Sequence, residues 1–298
     1  MLVAVTGASG FLGGHLIRVL RDRGMEVRAV VRREAAAEAL GALGFQTALA
    51  DLADADALTA AFSGCDAVVS NAAQLDRRGA NLDTFRAANV DGARRVAEAA
   101  VRAGVSRFVQ ISSVAVLASR LGRNGPDTPM VGPTGWAPSF LVTDKRYGRT
   151  KSEGETASAA VCETAGIRFT ALRPGPIYGS GDTVFFGLYR RWLDWPVIAL
   201  PTASVPHVHA GDVALAAALA LGHAAPGRAY TVTGENISLF AGMGILKRVA
   251  GRGPVLLPLW TPVGLSFDDS AARTELEWSS RSLQDGFTEA LSGDVARL

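Results

Sequence analysis

Leu2-Val3-Ala4-Val5-Thr6-Gly7-Ala8-Ser9-Gly10-Phe11-Leu12-Gly13 reads as a strand, a glycine turn and the start of a helix. Glycine at the end of the strand permits a tight turn with positive φ. Gly10 lets backbone approach a ligand, and Gly13 lets the helix pack closely on the strand. The free N–H groups and the positive end of that helix then face an anion, here the pyrophosphate of a dinucleotide. The spacing is G-x-x-G-x-x-G rather than the commoner G-x-G-x-x-G, so an ordinary glycine-rich turn is the competing reading. The expected phosphate cradle is Thr6, Gly7, Ser9, Gly10, Phe11, Leu12 and Gly13.

Outward from this turn, strand-length apolar runs alternate with amphipathic stretches of helical length. Strands are expected at Leu2–Thr6, Glu26–Val31, Phe45–Leu49, Ala67–Ser70, Arg107–Ile111 and Ile167–Leu172. Helices are expected at Phe11–Arg23, Glu34–Leu43, Asp54–Phe62, Asp83–Ala103 and Thr143–Ala165. This alternation predicts an α/β fold, a doubly wound parallel Rossmann sheet covered on both faces. Residues 1–175 would form the dinucleotide-binding domain. Residues 176–298, with a looser pattern and no clean linker before them, would form a smaller substrate-binding lobe partly interleaved with it. Ser119–Leu141, rich in Gly and Pro, resists both helix and strand and reads as a long binding loop or lid.

The second strand ends in Val30-Val31-Arg32-Arg33. An NAD-preferring site would place Asp or Glu here to accept from the ribose 2′-hydroxyl, whereas arginines pair with a 2′-phosphate. Arg32 and Arg33 therefore favour NADP(H) over NAD(H), with Glu34 a confounder and a solvated surface pair the bland alternative. Asp51 and Leu52, after the third strand, are candidates for the adenine; a helix N-cap region is the alternative. Asn71, Ala72 and Ala73 bring small residues to where a cofactor would pass.

Tyr147 and Lys151 stand four residues apart, one above the other on a helix. A nearby ammonium, together with an oxidised nicotinamide, would pull the phenol down from about 10 and make it a general acid or base near neutral pH. A bare Tyr-x-x-x-Lys is common by chance. Its context here is Ser112-Ser113, directly after a strand of the parallel series, where open α/β sheets bind ligands. Ser113 is the favoured hydroxyl for holding the reacting oxygen.

The 298 residues are 48% apolar, enough for a large core and unlike a disordered chain. Thirty basic and 28 acidic residues leave a net charge of +2, with no dense Lys/Arg run to engage nucleic acid. No basic segment precedes Leu2–Val5, which reads as a strand rather than a signal peptide, and Val213–Leu221 is too short to span a bilayer. Cys65 and Cys162 have no metal-ligand spacing and fit a reduced cytoplasm. His207 and His209 share one strand face, but no third ligand is evident, so no metal is expected.

These motifs resemble the extended branch of the short-chain dehydrogenase/reductase superfamily, the NAD-dependent epimerase/dehydratase-like family. The resemblance rests on Thr6-Gly7-x-x-Gly10-Phe11-x-Gly13, Asp51-Leu52, Asn89-Val90-x-Gly92 and Ser112-Ser113, then on Tyr147-x-x-x-Lys151, Arg173-Pro174-Gly175-x-Ile177-Tyr178-Gly179 and His207-Val208-His209-x-x-Asp212-Val213-Ala214. It covers about residues 1 to 235. It implies Ser113, Tyr147 and Lys151 as the catalytic triad, Tyr147 and Lys151 also touching the cofactor. Pro174, Gly175 and Ile177 would flank the nicotinamide, with Ile111 nearby and Asn89 in support. It also implies a homodimer through the two long helices. Departures narrow the chemistry. Val114-Ala115 follows Ser113 where dehydratases carry an acidic pair, and Leu117-Ala118 stands where epimerases usually have Tyr-Gly. Leu200–Pro206 carries no charge to hold a substrate diphosphate, although Arg190, Arg191 or Arg228 remain available.

Tyr178, Phe185, Phe186, Tyr189, Trp192 and Trp195 crowd one segment. They are read as an apolar substrate pocket (Tyr178, Phe185 and Phe186 foremost, with Met130, Trp136 and Phe140 as a lid) or as the lobe's core. The sequence thus points to a cytoplasmic NADP(H)-dependent oxidoreductase, a ketoreductase interconverting carbonyl and alcohol on a small, apolar molecule. A nucleotide-sugar 4-epimerase retaining NAD and a non-catalytic NADP sensor are the rivals.

Overall fold

In a computed structural model of the protein, residues 1–73, 81–119, 145–261 and 264–293 are described. Successive residues of its strands serve opposite faces of one sheet, as the two-residue period of a pleat requires. Val3 and Val5 join one apolar cluster while Ala4 joins the other; Val69 and Val68 divide in the same way. Both faces are therefore apolar and both must be covered.

The chain builds β1 (Leu2–Thr6), α1 (Phe11–Asp22), β2 (Glu26–Val31), α2 (Glu34–Ala42), β3 (Gln46–Leu49), α3 (Ala55–Phe62) and β4 (Ala67–Ser70). Then come α4 (Leu82–Arg86), a π-helical segment (Ala87–Gly92), α5 (Ala93–Arg102), β5 (Arg107–Ile111), α6 (Ala115–Ser119), α7 (Lys145–Thr164) and β6 (Arg168–Pro174). The C-terminal part adds β7 (Ile177–Tyr178), α8 (Phe185–Trp192), β8 (Val197–Pro201), β9 (Ser204–His209), α9 (Ala210–His223), β10 (Arg228–Val232) and β11 (Glu235–Ser238). It closes with α10 (Leu239–Ala250), β12 (Val255–Leu259), α11 (Ser270–Glu275) and α12 (Leu283–Ser292).

Seven strands form a parallel sheet in the order β10-β6-β5-β4-β1-β2-β3. Strand order reverses between β4 and β1, which places a ligand crevice beyond their carboxyl ends. Leu16, Ile17 and Leu20 of α1 and Val213 and Ala217 of α9 cover one face. Phe62 of α3, Val96 and Ala100 of α5, and Cys162 of α7 cover the other. Cys65 and Cys162 are free and buried in that second cluster, as small apolar side chains. The lobe has its own core around Tyr189, Trp192, Met243, Leu246 and Phe287. It includes a three-stranded sheet, β11-β9-β7, and a two-stranded parallel one, β12-β8.

One feature departs from the sequence expectation. The helix expected over Asp83–Ala103 is interrupted by the π-helical turn at Ala87–Gly92. That turn pushes the Asn89 carbonyl toward α7, where only glycine fits: a Cβ on Gly154 would lie 1.9 Å from the Asn89 oxygen. Beyond residue 175, where the C-terminal part is expected to interleave with the first domain, β10 and α9 belong to the large sheet and its cover. The cause is topological, since the chain passes from sheet to lobe and back.

Gly154→Ala should therefore lower stability by about 1–3 kcal/mol through overpacking against backbone. A urea-unfolding midpoint equal to that of the unsubstituted protein would refute this contact.

Candidate active site

The glycine turn has the shape a dinucleotide phosphate requires. Gly7 adopts φ +66°, and a Cβ there would come within 3.0 Å of Ala72 Cα. The stricter position is Gly13, whose Cβ would lie 2.1 Å from the Gly7 carbonyl oxygen, so any side chain would push α1 off the strand. Gly10, the N-cap, supplies no side-chain hydrogen bond, and the first turn of α1 carries no carboxylate. By contrast Asp54, Ser238 and Ser282 cap their own helices. A helix start left uncapped by its own chain and free of negative charge suits an incoming phosphate. Thr6 Oγ1 accepts from Asn71 N (3.0 Å) and Ala72 N (3.2 Å), and Asn71 Nδ2 donates to Gly7 O (3.4 Å). These bonds lock the ends of β1 and β4 together at the crevice. Ser9 lies in the turn after β1 and Ala73 just past β4, while Phe11 and Leu12 open α1.

Arg32 and Arg33 are exposed just past β2, whose last residues lie beside the end of β1. Asp51 is exposed, its Oδ1 accepting from Ala53 N at 2.9 Å, ahead of the Asp54 cap; this is the local structural role weighed for it above. Leu52 packs toward Gly92.

The triad residues come from two elements. Ser113 follows β5; Tyr147 and Lys151 lie on α7. Tyr147 is buried between Phe85 and Ala115, its ring edge-on to Phe85 at 6.4 Å, and it hydrogen-bonds Ser113. Ser113 Oγ also accepts from Ala115 N at 3.1 Å. Lys151 Nζ donates to the Ile111 carbonyl at 2.7 Å, tying α7 to the end of β5. Asn89 Nδ2 reaches Thr150 Oγ1 at 3.3 Å, one residue from the lysine.

The expected acidification of the phenol is not a property of the chain by itself. Burial pushes Tyr147 up to about 12, partly opposed by the Ser113 bond. Burial pulls Lys151 down to about 8, opposed by the Glu155 carboxylate. Loss of solvation, which the sequence cannot display, exceeds the effect of the neighbouring charge.

Glu155 belongs to a network that sequence reasoning missed. It is buried and accepts from Ser112 Oγ (2.6 Å), Arg173 Nη2 (2.5 Å) and Arg173 Nε (3.2 Å). Ser112, the serine not chosen for catalysis, is thus a tether between β5 and α7. Glu155 stands four residues beyond Lys151 on the same helical face, a spacing that was available as a signal. Pro174 O receives Val114 N at 3.0 Å, Gly175 N donates to Val232 O at 3.1 Å, and Ile177 pairs with Val208.

The aromatic segment divides. Tyr178 and Phe186 are about 1% exposed and pack with Phe287 in the lobe's core, so the structure gives them a packing role in place of the expected pocket lining. Their rings lie on the inward side, where burial outweighs any wall function. Phe185 is half-buried against Tyr189 and His207 and stays a pocket candidate. Trp136, Met130 and Phe140 lie outside the described residues. His207 bonds the Tyr189 hydroxyl (2.9 Å) and Val205 O (2.9 Å), and His209 Nδ1 caps α9 by accepting from Gly211 N (3.1 Å). Burial holds both imidazoles well below the usual range, at about 4 and about 3. Among the described residues no group of three or more His, Cys, Asp or Glu is placed to hold a metal ion.

A Rossmann sheet with a Ser-Tyr-Lys arrangement at its carboxyl edge defines a dinucleotide-binding fold of the short-chain dehydrogenase/reductase type. The chain belongs to the NAD dependent epimerase/dehydratase family, whose pattern it matches over residues 3–233. It is 33% identical over 215 residues to a ceramide reductase of Caulobacter vibrioides (72% of this chain, 58% of the relative). It is 30% identical to sterol demethylase protein B of Methylococcus capsulatus (85% of this chain, 75% of the relative). It is 32% identical to a 3 beta-hydroxysteroid dehydrogenase/Delta 5-->4-isomerase of Mycobacterium tuberculosis (80% and 66%). The match therefore spans little more than half of the ceramide reductase. Among solved structures gox2253 superposes with a TM-score of 0.78 at 25% identity, covering 100% of this chain and 99% of that one. MoeE5, solved with UDP-glucose and NAD, shares the fold at a TM-score of 0.76 and 24% identity, covering 99% and 98%.

The shifted lysine has a measurable consequence. Its folded value of about 8 lies below the unfolded 10.5, so between those limits the unfolded chain binds more protons and stability rises with pH. Lys151→Met removes that rise. The stability of the unsubstituted protein relative to the variant should improve by roughly 1–3 kcal/mol from pH 7 to pH 10. A difference that stays constant across this range, measured by denaturant titration, would contradict the assignment.

Proposed function

We propose that the chain is an NADP(H)-dependent oxidoreductase that interconverts a ketone or aldehyde with an alcohol on a small, apolar molecule. The observation that carries this reading is the assembly of Ser113, Tyr147 and Lys151 at the end of β5, on the same carboxyl edge of the sheet as the glycine turn of β1 and one strand, β4, away from it. Thr6, Gly7, Gly10 and Gly13 would hold the dinucleotide phosphates, and Arg32 and Arg33 a 2′-phosphate. When bound, the nicotinamide supplies or accepts a hydride.

Tyr147 carries its proton at neutral pH, as a value of about 12 requires, and so stands ready to protonate a carbonyl oxygen. Ser113 holds that oxygen beside the phenol. Lys151, fixed by Ile111 O, sets a positive charge under the site that favours the phenolate left after transfer. Phe85 and Ala115 exclude water from the phenol. The uncharged Leu200–Pro206 segment favours an apolar substrate over a nucleotide sugar. The relatives' names point the same way: a ceramide reductase, a 3 beta-hydroxysteroid dehydrogenase/isomerase and a farnesyl-dihydroquinoline-oxide ketoreductase. A homodimer across α5 and α7 belongs to this reading. Their exposed Arg94–Glu98 and Arg149–Glu153 pairs would make that contact polar.

Purified protein should oxidise NADPH with apolar ketones. Tyr147→Phe should cut kcat by about 10²–10⁴ while NADPH binding changes less than about threefold. Replacing both Arg32 and Arg33 by Ser should raise the KM for NADPH about tenfold or more and leave that for NADH unchanged. Full turnover by the Tyr147 variant would overturn the mechanism. Better use of NADH by the unsubstituted protein would overturn the cofactor assignment alone.

A further inference from the structure

The two-stranded sheet β8–β12 buries one face and exposes an apolar one. Register sets Val255 beside Val197, Leu257 beside Ala199 and Leu259 beside Pro201. Ile198, Leu200 and Leu256 turn inward onto the lobe's core with α10. The alternate residues face outward: Val197 is 47% exposed, Val255 57%, Leu257 49% and Leu259 50%. An indole stands at each end of this face, Trp195 at 52% and Trp260 at 78% exposure. Bonds to the residues on either side of Trp260 hold its backbone in place, Thr202 N donating to Leu259 O and Ala203 N to the Thr261 hydroxyl.

Charge is distributed unevenly around the face. The strands are parallel, so both begin at the same end, where α8 and α10 deliver the chain. The last turns of those helices carry Arg190, Arg191, Lys247 and Arg248, and Arg252 follows. The carboxylate among these segments is Asp194, paired to Arg252.

From this juxtaposition we propose that the β8–β12 face docks the protein onto an anionic lipid surface. Trp195, Leu257, Leu259 and Trp260 would enter the headgroup boundary, and the basic end would lie against the lipid phosphates. Two observations select this occupant. Indoles at an apolar margin suit an interface that is wet on one side and oily on the other, and a cationic rim complements negative headgroups. A second copy of the chain is a poorer fit. Strand rise and spacing give the sheet face an area on the order of 160 Å², against about 800 Å² per partner in a stable interface. The docking is superficial: no helix among the described residues is long and apolar enough to cross a membrane.

The test is co-sedimentation of the full chain with phosphatidylcholine vesicles containing about 30% phosphatidylglycerol. The unsubstituted protein should bind them, and bind pure phosphatidylcholine vesicles about tenfold more weakly. Leu257→Asp combined with Trp260→Ser, both at exposed positions, should weaken binding about tenfold or more without changing the melting temperature. Arg190→Glu with Arg191→Glu should do the same by removing charge attraction. Absence of vesicle binding by the folded protein, or binding insensitive to both pairs of substitutions, would overturn the proposal. So would a dimer in light scattering that Leu257→Asp dissolves, which would assign the face to a second copy.

Discussion

A buried hydrogen bond from the Lys151 ammonium to the Ile111 carbonyl joins α7 to the end of β5, alongside the Ser112–Glu155 tether. Everything at the crevice depends on that junction. It fixes the height of α7 above the sheet and so the position of Tyr147 one helical turn earlier. The bond is worth having only because the ammonium is buried, and burial is costly unless the charge is answered. Glu155 answers it from the next turn, held in place by Arg173 and Ser112. The polar interior is therefore a chain of partners running from β5 through α7 to β6.

Much of the frame was legible in the sequence because its signals are local. Alternating apolar residues and the glycine turn predicted β1, α1, β2 and β4 nearly to their ends. The residues of the site are held by nonlocal contacts, which is why its electrostatics escaped the reading. The proximity of Tyr147 and Lys151 follows from helical spacing, but the degree of their burial depends on Phe85, Ala115 and Ile111 arriving from elsewhere. Helical spacing shows a nearby ammonium but not desolvation, the larger effect on both groups. Ser112 was passed over because a hydroxyl next to another hydroxyl shows nothing of its direction; only the fold reveals that it faces Glu155. The π-helical turn is equally hidden, since Ala87–Gly92 has no residue that forbids an α-helix and the room for the bulge is left by Gly154, from another element.

The lobe was harder still. Its strands are short, and β8 and β12 pair across more than fifty residues of sequence. An aromatic cluster in one segment has two meanings, core or pocket, that composition does not separate. Here Tyr178, Phe186 and Tyr189 surround Phe287 from α12, so the far end of the chain decides their role. Asp212 performs a similar long-range task, accepting from Arg281 N and Nε and, through its backbone oxygen, from the Trp278 indole. The histidine-aspartate stretch is thus a clamp for the C-terminal segment.

The chain leaves the large sheet after β6, returns through α9, leaves again after β10 and comes back at α11, whose Ala272 packs in the sheet's cluster, so several covalent passages among the described residues link sheet and lobe. Two of them are neighbours bonded to each other, Gly175 N to Val232 O. A body hung on one strap swings more freely than one hung on several, two of them laced together. Sheet and lobe are accordingly stitched together by the backbone itself as well as by side-chain packing.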